Sequence, residues 1–137
     1  MFYFIDLTAV LRWNTTGITV AGIGAQKGNA SNQLNFPFGV IVDHAYNIYV
    51  ADRYNHRIQK FLFENLTGQT IAGNGTAGSS LYQLNNPSRI IIDSEGNLHI
   101  SEFLNYRILF WPNGAISGIL VAGTGKQYYY TACCGLI

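Results

Sequence analysis

Residues 47–61 read Asn47-Ile48-Tyr49-Val50-Ala51-Asp52-Arg53-Tyr54-Asn55-His56-Arg57-Ile58-Gln59-Lys60-Phe61. Two runs rich in apolar residues flank a polar stretch holding Asp52, Asn55 and His56, the pattern of two strands joined by a tight connection. Fifty residues on, the pattern returns as Asn97-Leu98-His99-Ile100-Ser101-Glu102, then Asn105-Tyr106-Arg107-Ile108. Upstream, Gln33-Leu34-Asn35-Phe36-Pro37 recurs as Gln83-Leu84-Asn85-Asn86-Pro87, and Val42-Asp43 as Ile92-Asp93. At this offset, 33–61 and 83–111 share 10 of 29 residues, where chance gives about two. A third phase joins Val20-Ala21-Gly22-Ile23-Gly24 to Ile71-Ala72-Gly73-Asn74-Gly75 and Val121-Ala122-Gly123-Thr124-Gly125.

Each unit divides into four short runs bounded by Gly, Asn, Asp or Pro. In one unit they fall at about 39–42, 47–51, 57–63 and 69–72, and in the next at about 89–92, 97–101, 107–111 and 118–122. No helical period is sustained over 11 residues. The expected fold is all-β, with β-propeller blades of four antiparallel strands. The expected divisions are the second half of a blade at 1–24, whole blades at 25–75 and 76–125, and a divergent tail at 126–137.

The stretch 47–61, with Pro37 and Gly39-Val40-Ile41-Val42-Asp43 before it and the Ala-Gly-x-Gly that closes each unit, resembles an NHL repeat. The next unit departs from it with Arg89 for Gly39, Ser101-Glu102 for Ala51-Asp52 and Tyr106 for His56. The resemblance implies a propeller, and rings of this family are six-bladed. At about 50 residues per blade, a chain of 137 residues forms an incomplete ring. It is expected to be part of a larger protein, or to cover its open edges by self-association or by further blades. The implied role is a non-catalytic scaffold for protein interaction, with a protein partner and no cofactor. Two alternatives follow from the same resemblance. One is the substrate- or RNA-binding C-terminal module of a ubiquitin-ligase-like protein. The other is a fragment of an amidating-lyase-like propeller enzyme.

Composition narrows these roles. Lys plus Arg number 8 and Asp plus Glu 7, giving a net charge of +1 with only 11% charged residues. This gives no broad basic face for nucleic acid. No apolar run reaches the roughly 18 residues of a membrane span. The opening Met-Phe-Tyr-Phe-Ile-Asp lacks the basic and hydrophobic regions of a signal peptide. Cys133 and Cys134 are adjacent and cannot close an ordinary disulfide loop. With no histidine nearby they make a poor zinc site.

The most distinctive polar sets are Asp52-x-x-Asn55-x-Arg57 and Glu102-x-x-Asn105-x-Arg107. The spacing lets Asn cap the turn and Arg pair with the carboxylate beside it. Recurrence at equivalent positions favours a turn brace over a ligand-facing cluster. Asp43–Asn47 and Asp93–Asn97 read as hairpin turns with too few carboxylates for calcium. His44, His56 and His99 lie in different phases and show no metal-ligand spacing. Gly73-Asn74-Gly75-Thr76-Ala77-Gly78 fits G-x-G-x-x-G but opens no helix, so it reads as a loop. Asn14, Asn29, Asn65 and Asn74 head N-x-Ser/Thr sequons. Four exceed the roughly 1.5 expected by chance and tilt the compartment toward the extracellular side. Tyr54, Tyr82 and Tyr128 are expected to be exposed contact residues.

Overall fold

A computed structural model describes residues 16–24 and 26–125. The expected tail, residues 1–15 of the expected half-blade at 1–24, Tyr128, Cys133, Cys134 and Asn14 lie outside them.

Among the described residues, eight strands form two sheets. The first holds β1 (Pro37–Val42), β2 (Ile48–Asp52), β3 (Arg57–Phe61) and β4 (Gly68–Ala72), and the second β5 (Pro87–Ile92), β6 (Leu98–Glu102), β7 (Arg107–Trp111) and β8 (Ile119–Ala122). Strand order follows chain order in both, and every pairing is antiparallel. Apart from one turn of 3₁₀ helix at Arg53–Asn55, the described residues are strand, turn and loop. The architecture is that of two blades of an incomplete propeller.

Strand ends differ from the sequence expectation by one or two residues. β1 and β5 begin two residues early, at Pro37 and Pro87, which pair with Asp52 and Glu102 across a register shift. β2 begins at Ile48 rather than Asn47, because Asp43 Oδ1 accepts the Asn47 N–H at 2.9 Å and binds Asn47 into the turn. β3 stops at Phe61 rather than Phe63. Beyond it the chain turns, with Glu64 at φ 59° and the Asn65 N–H donating to the Leu62 carbonyl.

The core lies between the two blades. Tyr49, Ala51, Ile58 and Ala72 project from one face of the first sheet. They pack on Ile90, Leu98, Ile100, Leu109 and Trp111 from the facing side of the second. Leu84, on the loop leading into β5, closes the seam. Strand alternation accounts for this: residues two apart share a face, so Tyr49 and Ala51 align with their cross-strand partners Lys60 and Ile58. The opposite face of the second sheet, equivalent to the packed face of the first, carries Ile91, His99, Ser101, Ile108, Phe110 and Ile119. There Ile91, Ile108 and Ile119 are exposed, whereas Ile58, the counterpart of Ile108, is fully buried.

One position shows how closely the blades approach. A Cβ at Gly39 would stand 2.5 Å from the Ser88 carbonyl oxygen. β1 therefore needs glycine there to lie beside β5. The counterpart in β5 is Arg89, which is exposed. The second unit thus does not keep the glycine of the first.

Gly39→Ala is expected to cost about 1–3 kcal/mol, the usual penalty of overpacking. Arg89→Ala should stay within about 0.5 kcal/mol, as at an open surface. Urea unfolding of the two variants checks the contrast.

Candidate functional site

The conspicuous polar sets sit where the loop before each blade meets the β2–β3 or β6–β7 connection. In the first blade Asp52 is fully buried, and Asn55 and Arg57 are buried beside it. Arg57 Nε donates to Asp52 Oδ2 at 2.8 Å. Its terminal nitrogens donate to the carbonyls of Asn29 (2.9 Å), Ala30 (3.0 Å) and Gln33 (3.1 Å). Asn55 Nδ2 donates to Asp52 Oδ2 at 2.8 Å and to the Gly28 carbonyl at 2.7 Å. Asp52 Oδ1 accepts the Asn35 N–H at 2.7 Å.

The second blade repeats the arrangement. Arg107 pairs with Glu102 and donates to the carbonyls of Ser79, Ser80 and Gln83. Asn105 bridges Glu102 and the Gly78 carbonyl, and Glu102 accepts the Asn85 N–H at 2.8 Å. Each cluster is buried and its charged groups are occupied by protein. Its reach goes beyond the local turn read from the spacing: the arginines clamp main chain 24 to 28 residues upstream.

The hairpin turns are filled in the same way. The Asp43 carboxylate accepts from the backbone of Ala45 and Asn47, the Asn47 side chain and the Tyr49 hydroxyl. Burial opposes its ionisation, but these donors hold it below the ordinary aspartate range. Among the described residues, no three His, Cys, Asp or Glu side chains gather in a way that could hold a metal. His44 is exposed, and His99 packs against Phe110 at 5.2 Å between ring centroids. His56 lies on the seam, and its Nδ1 accepts the Asn86 N–H at 3.3 Å. Burial pushes its imidazole below the usual histidine range, against the opposing pull of Asp52. The Gly73–Gly78 stretch runs from the end of β4 into the loop before the second blade and opens no helix. The sequon residues Asn29, Asn65 and Asn74 are exposed.

A different set of residues is gathered on the rim that carries the β2–β3 and β6–β7 connections and the starts of β1 and β5. Phe36, Phe38, Tyr54 and Phe103 are each half or more exposed there. Phe36 stacks on Tyr54 with ring centroids 4.8 Å apart and planes 15° from parallel. The Arg53 guanidinium lies among the rings, 4.9 Å from the Phe103 centroid, 5.2 Å from Phe38 and 6.0 Å from Phe36. Phe36 holds a left-handed backbone at φ 54°, a genuine outlier for a bulky side chain. Its counterpart is Asn86, at φ 52°, a residue type that tolerates this conformation.

Of these residues, sequence reasoning singled out only Tyr54. The available signal was mismatch between the units at loop positions: Phe36 against Asn86, Phe38 against Ser88, Arg53 against Phe103. The opposite rim has an apolar cleft of about 430 Å³ lined by Ile18, Val20, Val42, Tyr46 and Phe63. Its counterpart at the next seam, lined by Gln69, Ile71, Gly96, Leu98 and Asn113, measures about 280 Å³. A hollow that recurs at each seam is a by-product of blade packing, which favours the aromatic rim as the candidate site.

Residues 34–61 match the family model of the NHL repeat. They span the whole of β1 to β3 and both Asn35 and Arg57 of the first brace. No curated protein matches the chain.

Arg57→Ala strips a fully buried carboxylate of its counter-ion and is expected to cost about 3–5 kcal/mol in urea unfolding. For His56 the folded state favours the neutral ring. Its contribution is therefore complete above the ordinary pKa of about 6.5 and is lost as pH falls below it. His56→Tyr, which installs the residue of the second unit, should remove that part of the fall in stability between pH 7.5 and 5.5.

Proposed function

We propose that this NHL-repeat chain is a non-catalytic protein-docking module whose recognition surface is the aromatic rim formed by Phe36, Phe38, Arg53, Tyr54 and Phe103. NHL repeats serve as protein-interaction modules, and exposed aromatics around an arginine are the composition of interface hot spots. The observation that carries the proposal is the gathering of four half-exposed aromatic rings about the Arg53 guanidinium, with Phe36 stacked on Tyr54 at 4.8 Å between centroids. The RNA-binding alternative is weaker because Arg57 and Arg107, two of the chain's few cations, are spent on buried braces. A lyase role would need a reactive polar group, and both braces are saturated with protein contacts.

In Phe36→Asn, relief of left-handed strain, about 1 kcal/mol, offsets the loss of the ring stack, about 0.5–1.5 kcal/mol. The unfolding midpoint should stay close to wild type while partner capture falls at least about fivefold, by roughly 1 kcal/mol of binding. Capture is read with a photo-crosslinking residue at Tyr54 and a control at Tyr46 on the opposite rim. Adducts at Tyr46 and none at Tyr54 would overturn the assignment.

The proposed setting is extracellular, on the strength of the exposed sequons at Asn29, Asn65 and Asn74. A chain expressed through a secretory route should lose mass on treatment with a peptide-N-glycosidase.

A further inference from the structure

Arg53 has aromatic neighbours but, among the described residues, no ion-pair partner. The ion pairs among the described residues are Arg57–Asp52 and Arg107–Glu102. The nearest carboxylate in sequence, Asp52, is already committed to Arg57, Asn55 and the Asn35 N–H. Arg53 Nε is buried and has no hydrogen-bond acceptor. The side chain is half-buried, with Phe36, Phe38 and Phe103 all within about 6 Å of its guanidinium, the range in which a ring face attracts a cation. The rings shield the cation from water without using its in-plane N–H donors.

We infer that Arg53 is the recognition point for a carboxylate carried by a peptide segment whose neighbouring side chains are apolar. This rests on the docking rim proposed above and assigns its ligand chemistry. A carboxylate matches the planar donor edge of a guanidinium and forms charge-assisted hydrogen bonds with it. Phe36, Phe38 and Phe103 would cover the flanking apolar residues of the peptide and keep water from the pair, where an ion contact is stronger than in open solvent. The carboxylate comes from an Asp or Glu side chain or from a peptide C-terminus. A phosphorylated peptide fits less well, because recognition of such groups uses clusters of arginines, and among the described residues Arg53 is the single cation placed among these rings.

The test uses a phage library of random dodecapeptides panned in parallel on the full chain and on its Arg53→Gln, Phe38→Ala and Tyr54→Ala variants. Far-UV circular dichroism and unfolding midpoints establish that each variant is folded. The wild-type pool is expected to be enriched in Asp or Glu beside aromatic or leucine residues, and the Arg53→Gln pool is not. Selected peptides are then made with free and amidated C-termini, and with Asp/Glu replaced by Asn/Gln, for fluorescence anisotropy. Removing the carboxylate should weaken binding to wild type at least about tenfold and to Arg53→Gln less than about twofold, the non-additivity of a direct pair. The amidated series separates a side-chain source from a C-terminal one. Peptides that need Phe38 and Tyr54 but bind equally with or without Arg53 or an acid would overturn the inference and leave the docking rim standing. Failure to select any peptide on the wild-type chain would overturn both.

Discussion

The fold depends on a buried ion pair that ties strand to loop. Taking an arginine and a carboxylate out of water is costly, and the cost is recovered only if the remaining donors and acceptors are also matched. Here they are. Arg57 spends its donors on Asp52 and on the carbonyls of Asn29, Ala30 and Gln33. Asn55 and the Asn35 N–H complete the carboxylate. The braced loop carries Leu34 and Asn35 toward β1, and its counterpart places Leu84 in the core between the blades. Polar brace and apolar seam are therefore coupled: a loop without its clamp would no longer hold the seam's leucine in place.

The candidate docking rim inherits its geometry from the same parts. Arg53 and Tyr54 stand on the 3₁₀ turn that separates Asp52 from Arg57, so the brace fixes the turn on which they are displayed. Phe36 follows the Asn35 whose N–H the brace captures. Phe103 arrives from the other blade and meets Arg53 only because β1 and β5 lie side by side, which Gly39 permits. The rim thus spans the seam. Its rings keep their spacing as long as the two blades keep theirs.

Most of the fold was legible in the chain. The 50-residue offset, the four runs per unit and the Asn and Gly punctuation give strands, order and pairing, because strand alternation and turn chemistry are local properties. The ends of strands were less legible. Asn47 and Phe63 belong to turns through hydrogen bonds that a hydrophobic pattern does not contain. The members of the brace were legible by their repetition, but their upstream reach was not, since backbone carbonyls leave no mark in side-chain identity. The aromatic rim was largely illegible. Its members lie at 36, 38, 53, 54 and 103, and only the folded seam brings them together. In sequence they register as departures from the repeat, where attention falls on what the units share.

The direction in which each brace reaches bears on the order of synthesis. Asn55 and Arg57 bind main chain at 28–33, and Asn105 and Arg107 bind it at 78–83. Every partner has already left the ribosome when the arginine emerges. The brace of a blade can therefore close as soon as its third strand is made, before the fourth strand is added. The saturated braces then leave few unmatched polar groups while the next blade is being added. Vectorial closure of this kind shortens the time during which a half-made blade shows its strand edges to other nascent chains.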